Sequence, residues 1–252
     1  MLRDAFITFR YQMRLVLREP VWIVIAMTQP LLYLALYAPL LEPLSKITGL
    51  LPGSDPWQVF VPGMLIQHGM FGSMFVGFGI IVEIRHGTVE RMRVTPASRL
   101  GLLLGRILRD ALMLLVQATI LTLVAIAFGL RVPAVGALLT VGLVLMLGIA
   151  LSALSYAAGL WLKSEDALSA VLNMFILPVL LLSGILLPMT LAPRWLMRIS
   201  DANPFKHIVD AARAAFQNDL GNLSIAIGLA CAAGLAVLGL AVATRLFQRE
   251  SA

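Results

Sequence analysis

Charge is scarce in this chain of 252 residues. Asp, Glu, Lys and Arg make up 13% of it, against a hydrophobic share of 60% and a mean hydropathy of +0.93. A soluble globular chain is about 25% charged, so this one lacks the polar residues to cover a water-facing surface. The same shortage excludes disorder, collagen and coiled coil. Cysteine is almost missing: Cys231 stands alone in an apolar run, forms no intrachain disulfide and reads as a small packing residue. No G-x-x-x-x-G-K-[ST] or H-E-x-x-H occurs, nor any His/Cys/Asp/Glu cluster with metal-ligand spacing. The chain therefore shows no site of its own for nucleotide phosphates and none for a metal. A membrane β-barrel would alternate apolar and polar residues over segments of about ten. Here the apolar runs are continuous and about twice that length, and the reading is an all-α membrane protein.

Six runs are long enough to cross a hydrocarbon core, which takes about 20 helical residues. They lie at 21–41, 59–82, 112–130, 136–162, 168–188 and 223–244, and none of the 19 basic or 13 acidic residues falls inside them. A charge at the centre of a span costs about 2.5–3.5 kcal/mol or more, which explains that partition. The first run is too long for a signal-peptide core of about 7–15 residues and reads as an uncleaved span. An even number of spans puts both termini on one side. Thirteen Lys and Arg fall on that side and six on the other, so positive-inside predicts cytoplasmic termini. The net charge of +6 is thus a matter of topology, not of nucleic-acid binding.

Three segments outside the spans carry pattern. Residues 1–19 place Leu2, Phe6, Phe9, Met13 and Val16 at helical spacing, with Arg10, Arg14 and Arg18 turned from them. This predicts an amphipathic helix in the headgroup layer, its arginines towards anionic lipid, or else a plain basic flank. In 83–110, Gly87 is suited to end a helix, Thr88 to cap a short charged one, and Thr95–Pro96 to start another that runs into the third span. A solvated charge run is the simpler alternative for that segment. In 189–222, Asn203–Pro204 opens a helix with Phe205, Ile208, Val209, Ala212 and Phe216 on one face. It predicts short helices lying in or dipping into the outer interface, or an inert outer cap.

Within the spans the polar residues are uncharged: Gln29 before Pro30, Gln67, His68, Gln117 and Asn173. Polar groups at that depth tend to face a bundle interior, which makes Gln29, Gln67, His68 and Asn173 candidates for a substrate path. Plain interhelical hydrogen bonding accounts for each alone. His68 lacks an intramembrane carboxylate to relay protons with, and absent acids also count against a proton-coupled carrier. The pattern is a membrane path without an engine.

Further residues carry a family likeness. Glu83-x-Arg85-x-Gly87-Thr88-x-Glu90-Arg91, then Thr95-Pro96-x-x-Arg99 and Leu104-Gly105-Arg106-x-Leu108-x-Asp110, resemble the loop of ABC-2 type permeases. The drug-export permeases of the daunorubicin-resistance type and the nodulation-factor exporters are the most similar. Phe60-x-Pro62-Gly63, Ser183-Gly184, Asn203-Pro204 and Asp210-x-x-Arg213 agree with this, over nearly the whole chain. The resemblance implies one transmembrane domain over 1–252, of the ABC-2 exporter fold. Its parts would be an elbow helix at 1–19, the six spans, a coupling loop at 83–110 and re-entrant helices at 189–222. It implies no catalysis and no cofactor in this chain, with ATP and Mg²⁺ bound by a separate ATP-binding subunit present in two copies. A second copy of the permease would complete the exporter, in a bacterial plasma membrane. Gly87, Thr88, Glu90 and Arg91 would be the coupling residues. Methionine-rich walls suit an amphiphilic drug or antibiotic; export of a polysaccharide or lipid-linked glycan, and ion-driven secondary transport, are the alternatives.

Overall fold

The computed structural model describes residues 1–19, 21–46, 55–87, 98–185, 189 and 192–249, and among them it is helical with no strand. The helices are α1 (Leu2–Arg18), α2 (Val21–Lys46), α3 (Pro56–Met74), α4 (Gly77–Arg85) and α5 (Arg99–Ala127). They continue as α6 (Ala134–Leu162), α7 (Glu165–Leu182), α8 (Arg194–Asp201), α9 (Pro204–Phe216) and α10 (Leu223–Arg249). Five stretches are long and apolar enough to cross a bilayer: Pro56–Arg85, Leu100–Ala127, Ala134–Leu162, Glu165–Leu182 and Leu223–Gln248. Helix α1 meets Ile23–Tyr37 at a bend of 71°, and the count becomes six if that bent pair is taken as one span.

The starts follow from capping. Asp55 accepts from the Trp57 N–H ahead of α3, Ser98 from Gly101 ahead of α5, Ser164 from Ala167 ahead of α7, and Asn203 from Phe205 ahead of α9. Prolines 56 and 204 occupy first-turn positions where the missing N–H costs nothing. The Asn203–Pro204 start is the one the sequence predicts. The described part of the loop helix begins after Ser98 and continues without a break into the third apolar run as far as Ala127, three residues short of the predicted end; Thr95 and Pro96 lie outside the described residues.

Helix α6 is the hub, packed against α10, α3, α5, α9 and α4. Small residues let it get close. A Cβ on Gly105 of α5 would come within 2.6 Å of the Ala5 carbonyl oxygen and of Thr8, so only glycine lets α1 lie on α5. Gly77 is likewise pressed against the Ser155 backbone of α6.

The predicted span 59–82 is not one straight helix. It divides at Phe75–Val76 into α3 and α4. The break strands backbone groups that lipid cannot satisfy. Ser155 splices them: its hydroxyl accepts from the Gly77 N–H at 2.8 Å and donates to the Met74 carbonyl at 2.5 Å. One side chain on a neighbouring helix thus fixes where the span creases.

Helix α7 is the least embedded, with Leu168, Leu172 and Ile176 buried and Met174, Phe175, Leu177 and Leu181 exposed. In α1 the face against the protein is Ala5, Thr8 and Gln12, whereas Leu2, Phe6 and Ile7 are exposed.

Candidate functional site

A cleft of about 700 Å³ lies between α2, the α3–α4 pair and α5, with Val16 of α1 at one edge. Three of the four path candidates meet there. Gln29 and His68 line the cleft, and Gln67 joins them in an adjoining recess with Pro30, Tyr33 and Met64. His68 Nε2 stands 3.0 Å from Gln117 Oε1, so the imidazole N–H donates to the amide oxygen across α3 and α5. Gln29 Nε2 donates to the Tyr33 hydroxyl, 3.3 Å away on its own helix. Phe71 and Phe75, nearly parallel with ring centroids 6.5 Å apart, form part of the wall. The result is an aromatic and amide surface without a formal charge at mid-span, suited to a ligand that is greasy and also hydrogen-bonds.

Asn173 does not join them. It is exposed on α7, and its amide donates to the Ser169 carbonyl at 2.9 Å, one turn back.

The end of the bundle that carries the arginine-rich segments is tied by ion pairs. Arg106 of α5 bonds Glu83 of α4, and Gln12 of α1 donates to the same carboxylate at 3.2 Å. Arg109 pairs with Asp110 at 2.8 Å and donates to the Tyr156 hydroxyl at 3.1 Å; that hydroxyl in turn donates to Asp110 at 2.7 Å. Arg85 reaches Glu165 of α7 at 2.8 Å. Arg106 is 4% exposed and Asp110 8%, so these two are protein-buried charges, whereas the Arg85 and Glu165 side chains are 59% and 38% exposed. The sequence hides this network because its partners lie far apart in the chain. Tyr156 itself sits in a run that is apolar except for the hydroxyls of Thr140, Ser152 and Ser155.

The predicted coupling residues divide. Gly87 follows α4 with φ +68, a left-handed conformation that glycine takes without strain, and its N–H bonds the Ile84 carbonyl. Thr88, Glu90 and Arg91 lie outside the described residues. Arg10, Arg14 and Arg18 are exposed along α1. Nearby, Asp4 accepts from the Ser98 N–H at 3.0 Å. That bond, reinforced by the Ser98 side chain and the N-terminal ammonium, lowers its carboxyl pKa to about 2.

At the opposite end, Arg213 of α9 donates to the carbonyls of Val59 at 3.1 Å and Gly184 at 2.8 Å. Burial lowers the guanidinium's pKa, and the neighbouring Asp210 opposes that shift. Gly184 itself has φ +72. One arginine thereby closes the tops of α3 and α7 onto α9.

A bundle of apolar helices around a lateral polar cleft, creased in one span and charge-paired at one end, defines a polytopic membrane permease. Residues 4–216 match the family model of the ABC-2 type transporter, and the chain belongs to that family. It is similar to the daunorubicin resistance ABC transporter permease protein DrrB1 of Streptomyces coeruleorubidus, 26% identical over 198 residues, covering 77% of this chain and 70% of that protein. The putative transport permease ycf38 of Cyanophora paradoxa is 26% identical over 204 residues, covering 80% and 70%. The probable doxorubicin resistance ABC transporter permease protein DrrC of Mycobacterium tuberculosis is 25% identical over 155 residues, covering 61% and 56%.

Proposed function

We propose that this chain is the membrane subunit of an ATP-driven exporter that moves an amphiphilic, drug-like or antibiotic-like compound out across a bacterial plasma membrane. The observation that carries the reading is the cleft, where Gln29, Gln67 and His68 gather beside Phe71 and Phe75. A surface of that kind accepts flat apolar bodies and pairs their few polar groups. Membership of the ABC-2 family supports an ATP-binding partner, taken here as two copies, with ATP and Mg²⁺ held there. A second copy of the permease completes the assembly, and both termini face the cytoplasm. Gly87, Thr88, Glu90 and Arg91 pass the partner's motion to α4 and, through Glu83 and Arg106, to α5. The elbow arginines 10, 14 and 18 hold α1 at the lipid surface.

The test is co-purification from native membranes in mild detergent, followed by doxorubicin accumulation in inside-out vesicles. An ATP-binding protein should purify with the chain in equal amount, and accumulation should require ATP. The double change Glu90→Arg with Arg91→Glu should leave the membrane level intact and break the link between hydrolysis and accumulation. Transport driven by an ion gradient with no ATPase present would overturn the exporter reading.

A further inference from the structure

We propose that the lower part of the cleft holds a phospholipid whose headgroup combines a phosphate with a primary ammonium, seated on Arg109 and Asp110. Both residues line the cleft. They lie just before Leu112, where the apolar run of α5 begins, which is the depth of lipid headgroups. The cleft is open at this level, since Phe75 on its wall is 44% exposed. Its far edge is formed by Val16, Ile23 and Ala26, apolar residues of the two helices that enter the membrane here.

Charge decides the class of headgroup. Arg109 is matched by Asp110, and Arg106 by Glu83, so the site is neutral as it stands. A ligand with one net charge would leave that charge buried and uncompensated, which is costly. A head bearing both signs would not. Each partner also has capacity left. Arg109 makes its bonds to Asp110 and Tyr156 through Nη2, while its side chain stays 21% exposed on the cleft; a phosphate oxygen is the natural acceptor for a remaining guanidinium N–H. The Asp110 oxygens each accept one bond, from Arg109 and from Tyr156, leaving lone pairs for an ammonium N–H. A quaternary ammonium has no N–H to offer, so phosphoethanolamine fits and phosphocholine does not. Met113, Leu114 and Phe71 above the pair give the acyl chains an apolar wall. Basic pockets between membrane helices are recognised headgroup sites; here the adjacent acid makes the site read both charges.

The experiment reconstitutes the full chain in vesicles of equal parts phosphatidylethanolamine, phosphatidylglycerol and phosphatidylcholine with identical acyl chains, and weighs the retained lipid by native mass spectrometry. Phosphatidylethanolamine should be enriched at least five-fold over the other two. Arg109→Gln and Asp110→Asn, each checked for a monodisperse fold, should return the ratio to that of the vesicle. The wild-type chain gives an independent reading with the mono- and dimethylated ethanolamine lipids, where retention should fall as N–H donors are lost. Retention at the bulk ratio, a preference for phosphatidylglycerol, or equal retention of ethanolamine and choline lipids would overturn the proposal. Displacement by millimolar soluble phosphoethanolamine would overturn the lipid as occupant. The readout uses neither ATP nor a partner, so it stands or falls separately from the exporter reading.

Discussion

The Tyr156 hydroxyl donates to Asp110 at 2.7 Å, joining the last two turns of the hub helix α6 to the basic end of its neighbour α5. It accepts from Arg109 at the same time. Removing it leaves a buried carboxylate one donor short, a loss of about 1–3 kcal/mol. Tyr156→Phe should therefore lower the thermal unfolding midpoint in detergent. In a double-mutant cycle with Asp110→Asn the two losses should not add; additive losses would show that the pair is not coupled.

Ser155→Ala removes both bonds that splice the crease between α3 and α4, leaving the Gly77 N–H and Met74 carbonyl without that partner. Stability should fall by about 1–3 kcal/mol. Cysteine pairs placed across the crease and measured by spin-label distance should show a broadened bend. An unchanged distance distribution would mean that backbone geometry alone sets the crease.

Gly105→Ala places a methyl group against the Ala5 carbonyl oxygen and Thr8, where backbone has to move. Gly142→Ala is the matched control: it lies in α6 with open space around it and should be neutral or stabilising by up to ~1 kcal/mol. Protease accessibility of the first eighteen residues should rise for the former and stay at the wild-type level for the latter.

Asp4 makes the contact of α1 with the start of α5 sensitive to acid. Its folded pKa of about 2 lies below the ordinary Asp value of 3.8. The contribution is thus complete above about pH 4 and is lost as pH falls towards 2. Amide exchange in α1 should speed up over that window in the wild-type chain. Asp4→Asn should flatten the response, and a wild-type profile without an inflection there would refute the assignment.

The number and place of the apolar helices were legible because hydropathy is a sum over about twenty residues, and no single contact changes it. The runs at 136–162 and 223–244 coincide with the greater part of α6 and α10. Gln67 and His68 are half-buried, as a polar group in mid-span is expected to be, whereas Gln29 lines the cleft yet stays exposed. Asn173 broke that expectation because Ser169, one turn back, satisfies it. The buried base was not legible. Arg106, Arg109 and Asp110 look solvated in sequence, and the groups that neutralise and hold them, Glu83 and Tyr156, come from other helices. The crease escaped notice too, since nothing in Phe75–Val76 breaks a helix; Ser155 on α6 supplies what the break requires.

Arg213 grips the ends of α3 and α7 that lie away from the arginine-rich segments by main-chain oxygens, those of Val59 and Gly184, and a main-chain oxygen is the same whatever side chain its residue carries. Closure at that end is therefore indifferent to which side chain stands at position 59. Selection is free to vary this rim for new cargo without redesigning the latch, while the arginine itself has no equivalent substitute. Lineages that diverge in what they carry are thus expected to differ around the mouth and agree at position 213.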